Sequence, residues 1–185
     1  MKNAIVGQSG GPTSVINSSL AGVYESARLN GIETVYGMCH GVVGLLKDEL
    51  IDLKDYLDSS LKVDLLKRTP SSYLGSCRYK LKDYNVDDSE YKTIFANLEK
   101  HDIGYFFYIG GNDSMDTIGK LAAYGAKIHS PIRFVGGPKT IDNDLAITDH
   151  CPGYGSAAKY VATIMKEIGR DAMCYGTPVV TIVAI

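Results

Sequence analysis

Short apolar runs alternate with amphipathic stretches along this chain, and no internal repeat interrupts them. Residues 4–6 read as a first strand, followed by glycines and a helix over 14–30 with Gly31 as its C-terminal cap. Residues 34–38 read as a second strand. The segment 41–87 mixes charge with turn residues, and only Leu61, Leu65 and Leu66 suggest a short helix there. From Asp88 the order returns: Tyr91, Ile94, Phe95 and Leu98 fall on one helix face, and residues 105–109 form a buried-strand run. Ser114 then reads as the cap of a helix that Gly125 ends, and 132–135 as the next strand. Ala157, Val161, Ile164 and Ile168 mark another amphipathic helix, and 179–185 a final apolar strand.

Parallel strands joined by right-handed helical crossovers give an α/β fold, a three-layer sandwich around a mostly parallel sheet. Binding chemistry then belongs at the carboxyl ends of the strands. With 185 residues, 45% hydrophobic and 22% charged, one globular domain is expected over 1–185. A formal net charge of -2 supplies no basic footprint for nucleic acid, and no apolar run or charged leader marks a membrane span or signal peptide. The cytoplasm is the expected location. Cys39, Cys77, Cys151 and Cys174 are scattered without metal-site spacing and read as reduced thiols. His101 and His129 read as surface residues at element junctions. Because VVTIVAI closes the chain inside an apolar run, the sequence reads as a fragment of a longer one.

Three glycine clusters each follow a predicted strand: GQSGG at 7–11, GGNDS at 110–114 and GGPKTIDND at 136–144. A glycine pair alone merely turns a chain, but three on one sheet edge form a cradle where phosphate can approach the backbone. Asp113 near a helix N-terminus either caps that helix or, beside a phosphate, needs a divalent cation between the two charges; Mg2+ is the economical choice. In the third loop Lys139 can neutralise phosphate oxygens and Thr140 can donate a hydrogen bond. An extended backbone would turn Asp142 and Asp144 to the same side, with Asp142 able to accept a hydroxyl proton. On composition TIDND also fits a solvated Asx turn. No GxxxxGK[ST] and no GxGxxG after the first strand is present, which leaves Walker-type and dinucleotide sites unsupported. The inventory fits phosphoryl transfer, which needs positioning, metal and charge neutralisation.

SGGPTSVIN at 9–17, GSCR at 75–78, GGNDSM at 110–115 and PKTIDND at 138–144 resemble the phosphofructokinase family, in its pyrophosphate-dependent branch. That resemblance implies a phosphofructokinase-like N-terminal domain. It also implies Mg-dependent transfer from pyrophosphate to the 1-hydroxyl of fructose 6-phosphate, giving fructose 1,6-bisphosphate in glycolysis. Gly11 would touch the donor phosphates, Arg78 would lie over the transferring phosphoryl, and Asp142 would be the base, with Thr140, Ile141 and Asp144 positioning substrate. ATP-using relatives carry glycine where Asp113 and Lys139 stand, so bulk and negative charge at Asp113 and a cation at Lys139 select pyrophosphate. At the metal loop Asn112 replaces the family's usual aspartate and would bind Mg2+ through its carbonyl or a water, with Asp113 supplying the charge. The family's sugar-phosphate residues lie beyond Ile185, so the chain alone is expected to be inactive and the full-length protein a homo-oligomer. An ATP-dependent 6-phosphofructokinase and a phosphate-binding regulatory subunit are the alternatives.

Overall fold

The computed structural model describes residues 2–13 and 15–184. Five strands form one sheet: β1 (Asn3–Gln8), β2 (Val35–Met38), β3 (Leu50–Asp52), β4 (Ile103–Gly110) and β5 (Arg133–Pro138), in the spatial order β3-β2-β1-β4-β5. All neighbours pair in parallel except β3, which runs antiparallel along β2. The helices are α1 (Ile16–Leu29), α2 (Val42–Leu46), α3 (Ser60–Arg68), α4 (Ser89–Lys100), α5 (Asn112–Lys127) and α6 (Tyr154–Ala172). The predicted start of α1 at Ser14 lies outside the described residues.

Alternation along the central strands builds a core on each face. Ala4 and Val6 of β1 join Leu20, Tyr24 and the α3 residues Val63 and Leu66 on one side. Ile5, Phe106 and Tyr108 join Tyr91, Ile94 and Leu98 of α4 and Leu121 of α5 on the other. Each fully buried aliphatic or aromatic side chain contributes about 1.5–3 kcal/mol. The three-layer α/β sandwich expected from periodicity is present, and α4 buries the four residues expected of it, Tyr91, Ile94, Phe95 and Leu98. Helix α1 ends as expected: Gly31, at φ 77, donates to the Arg28 carbonyl at 3.1 Å while Ile32 N–H reaches back to Ala27 at 3.0 Å.

Four expectations change. The opaque segment holds α2 and the edge strand β3, and within α3 Leu66 is buried with Val63 whereas Leu61 and Leu65 face solvent. Helix α5 begins at Asn112 with Gly111 at the capping position; Ser114 lies inside it, buried. Gly125 does not end α5: a Cβ there would stand 3.1 Å from Phe134 and 3.2 Å from Phe95, so this glycine lets the helix close onto aromatic neighbours. Residues 179–184 contribute no strand, and Val180 and Ile182 are exposed; Ile185 lies outside the described residues. With its expected partner missing from the sheet, β5 is an edge, and α6 buries none of its residues despite its amphipathic pattern. Among the described residues no helix is long and apolar enough to cross a membrane.

Candidate functional site

Parallel pairing carries the three glycine loops to one edge of the sheet. Gln8 stands opposite Ile109, Ile109 opposite Gly137 and Gly110 opposite Pro138. Past the strands, Ser9 N–H donates to the Ile109 carbonyl at 2.9 Å and Lys139 N–H to the Gly110 carbonyl at 3.0 Å. The crossing is tight enough to demand glycine at 110, where a Cβ would come within 2.1 Å of Ser114 Oγ. Ser114 is used there, its hydroxyl hydrogen-bonded to that of Ser9. Gly10, at φ 78, turns the first loop toward the second.

A buried amide pair brings in the GSCR segment. Gln8 donates to Asn17 Oδ1 at 3.0 Å, and its Oε1 accepts from Leu74 N–H at 2.9 Å and Ser72 Oγ at 3.0 Å. Asn17 accepts from Tyr73 N–H at 2.9 Å and donates to the Thr69 carbonyl at 2.8 Å. Residues 69–75 are thereby clamped beside β1. Gly10 N–H then donates to the Cys77 carbonyl at 3.1 Å, and Ser76 Oγ donates to the Gly10 carbonyl. Arg78 follows at once.

Two cavities open on this edge and share Gly11, Gly111 and Asn112. The larger, about 860 Å3, is lined by Gly11, Asn112, Lys139, Thr140, Ile141 and Asp142 together with the first turns of α6. The smaller, about 380 Å3, is lined by Gly11, Arg78, Asn112 and Asp113. Lys139 is only 8% exposed and has no ion-pair partner among the described residues. Its Nζ lies 3.9 Å from where a Cβ on Gly10 or Gly111 would stand, against the open backbone of both loops. Burial pushes its pKa down, and the Asp142 carboxylate opposes that shift.

Thr140 Oγ1 accepts from Asp142 N–H at 3.0 Å, so its hydroxyl orients the aspartate's backbone. The expected alternation of Asp142 and Asp144 does not hold. Asn143, at φ 54, sits in the left-handed region and accepts from Cys151 N–H at 2.9 Å, which turns the chain between them. Asp142 reaches the cavity wall; Asp144 is not among the residues lining either cavity.

Asp113, in the first turn of α5, is exposed and paired with Lys80 Nζ at 3.0 Å. No three His, Cys, Asp or Glu side chains converge to hold a metal among the described residues. One carboxylate beside an amide and open glycine loops does suit Mg2+, which keeps waters and binds through one or two carboxylates plus substrate phosphates. Asp113 and Asn112 are the residues that fit it.

The sequence reading missed Lys80, the Gln8–Asn17 pair and the α6 wall. Lys80 lies two residues past Arg78, near enough to have been weighed with GSCR. Thr13 Oγ1 is the one buried side-chain polar atom without a hydrogen-bond partner among the described residues, and it too lies at the larger cavity. All four cysteines are free. His101 is more than a surface residue: it contacts Asp48 Oδ1 at 2.7 Å and packs edge-on against Tyr36.

Comparison with known proteins agrees with this geometry. The Phosphofructokinase family profile matches residues 3–184. The chain is 46% identical over 172 residues to a pyrophosphate–fructose 6-phosphate 1-phosphotransferase of Methylococcus capsulatus, covering 92% of this chain and 40% of that protein. It is 35% identical over 163 residues to an ATP-dependent 6-phosphofructokinase of Aliivibrio salmonicida, covering 88% of this chain and 45% of the relative. A crystal structure of a pyrophosphate-dependent phosphofructokinase from Nitrosospira multiformis superposes with a TM-score of 0.84 at 44% identity, over 92% of this chain and 42% of that one. The chain thus spans less than half the length of these relatives.

Proposed function

The chain belongs to the phosphofructokinase family, and we propose that it forms the donor half of a pyrophosphate-dependent enzyme phosphorylating the 1-hydroxyl of fructose 6-phosphate, a cytoplasmic step of glycolysis. The observation that carries this reading is Lys139, a cation 8% exposed and without an ion pair among the described residues, set against two glycine loops. A buried, unneutralised ammonium is costly unless an anion joins it. The backbone amides of Gly11 and Gly111 are the donors available to that anion's oxygens.

Donor phosphates lie along Gly11 and Lys139, and Arg78 covers the phosphoryl in transfer. Asp142 takes the proton from the acceptor hydroxyl. That oxygen bonds to phosphorus as the bond to the bridging oxygen breaks, and orthophosphate departs. Mg2+, held by Asp113 and the Asn112 carbonyl, would neutralise charge on the donor oxygens. The Asp113 carboxylate and the Lys139 ammonium occupy the space and charge environment that a nucleotide's α-phosphate needs, which favours pyrophosphate over ATP. The complete protein acts as a homo-oligomer on this reading.

Calorimetric titration of the chain with Mg-pyrophosphate and with Mg-ATP tests the donor assignment. Heat from pyrophosphate alone is expected. Tighter binding of ATP would overturn the assignment.

A further inference from the structure

Residues 75–82 form neither helix nor strand, and three of them, Cys77, Arg78 and Tyr79, line the smaller cavity. Arg78 is exposed and makes no ion pair with any described residue, so its place depends on its neighbours in the chain. On one side the Cys77 carbonyl accepts from Gly10 N–H at 3.1 Å. On the other the Tyr79 ring packs against the core under α4, and its hydroxyl donates to Glu90 Oε1 in the first turn of that helix. Glu90 Oε2 also accepts from Lys82 N–H at 3.3 Å. Further on, the Lys82 carbonyl accepts from the Tyr91 hydroxyl at 2.7 Å and the Leu81 carbonyl from Lys120 Nζ at 3.2 Å. Those two grips start three residues beyond Arg78, whereas Glu90 holds the residue next to it. Glu90 itself lines neither cavity.

We propose that Glu90 is a positioning residue for the donor cavity: it holds Tyr79 as a fixed wall and, through Tyr79, keeps Arg78 in place beside the donor phosphates. The inference rests on the phosphotransfer reading and adds to it a residue that touches no substrate. Consecutive Cα atoms lie about 3.8 Å apart, so a residue tethered on both flanks has little freedom of its own. Cys77 is one tether of Arg78 and Tyr79 the other. A hydroxyl bonded to a carboxylate is the stronger kind of hydrogen bond, which suits it to hold a segment without secondary structure. The Tyr79 hydroxyl keeps its proton more tightly than a free tyrosine, first because the Glu90 carboxylate accepts from it and then because it is partly buried, so Tyr79 remains the donor.

Pyrophosphate with Mg2+ is titrated by NMR, which follows weak binding, into the 185-residue chain and into its Glu90→Ala, Glu90→Gln, Tyr79→Phe and Arg78→Ala forms. Glu90→Ala and Tyr79→Phe should each weaken binding about five-fold, the scale of ordering one loosened side chain on association. Glu90→Gln gives up the negative charge that a helix start favours but keeps an acceptor oxygen, and should retain most of the affinity. Adding Glu90→Ala to Arg78→Ala should weaken binding no further, because the effect runs through Arg78. A further loss in that background would make Glu90 a general support of the fold and overturn the proposal, as would a Glu90→Ala chain that binds like the unsubstituted one. Without ligand, backbone 15N relaxation at Arg78 should report faster and wider motion in Glu90→Ala; unchanged relaxation also overturns the proposal. If pyrophosphate binds none of the chains the donor reading falls, while the relaxation comparison still decides the role of Glu90.

Discussion

Gln8 and Asn17 are fully buried, uncharged and absent from the lining of either cavity, yet between them they pin residues 69–75 beside the first glycine loop. Replacing Asn17 with leucine strands the Tyr73 N–H and the Thr69 carbonyl, while the Gln8 amide keeps the Ile16 carbonyl at 3.1 Å. Urea unfolding should show a loss of about 2–3 kcal/mol, the scale for orphaned buried polar groups; a loss under about 0.5 kcal/mol would mean that water replaces the clamp. Lys139 should behave in the opposite way. Burial lowers its pKa from 10.5, so the folded chain holds this proton less tightly than the unfolded chain does. Its destabilising effect is fully present below the depressed pKa and fades as pH climbs from there toward 10.5. Lys139→Met should therefore raise ligand-free stability by about 1 kcal/mol at neutral pH, flatten that alkaline rise and abolish pyrophosphate binding. A less stable methionine variant would argue that the ammonium already has a partner. At this scale Lys139, Asp142 and Gly11 were legible because each follows a predicted strand end. The turn at Asn143 was not, because φ 54 there depends on Cys151, eight residues away.

Element by element, legibility followed the length of the periodic signal. Helix α4 was clear because four apolar residues repeat at helical spacing, whereas α2 and β3 span 5 and 3 residues, too few for either period to show. Gly125 was misread because a glycine that ends a helix and one that admits a neighbouring ring look alike in sequence. The start of α4 also carries a pH signature. Asp87 accepts from Ser89 N–H at 3.1 Å and pairs with Lys82 at 3.3 Å; the Ser89 hydrogen bonds first and then Lys82 hold its pKa down from 3.8 to about 2. Stability from this carboxylate is present above 3.8 and lost as pH falls through about 2. Asp87→Asn should flatten the acid limb of unfolding across that window. An unchanged acid limb would assign the loss to other carboxylates.

Over the whole molecule, stability is uneven. Strands β1 and β4 lie between two cores, whereas α6 buries nothing, and the segment just before it is held by Thr140, whose N–H donates to the Pro152 carbonyl at 2.9 Å. Hydrogen exchange of the chain should find α6 amides opening at least about 100-fold more readily than those of β4; equal protection would require a contact covering α6. The fold was readable at this scale because the βαβ alternation survives local errors. The count of five strands held only because β3 at one edge stands in for the strand expected at 179–185. No local pattern could reveal that exchange, since an apolar run becomes a strand only where a neighbouring strand pairs with it.

The two edges of the sheet are unequal. On one side β3 is a three-residue antiparallel strand, too short to template another chain. On the other, β5 offers six residues with an open row of backbone donors and acceptors, guarded by Arg133 at one end and Pro138 at the other. Between those gatekeepers the run FVGG carries no charge and leaves Val135 exposed. Two chains meeting there can extend each other's sheet, so protein concentration as well as temperature governs how long the chain stays in solution before it begins to aggregate.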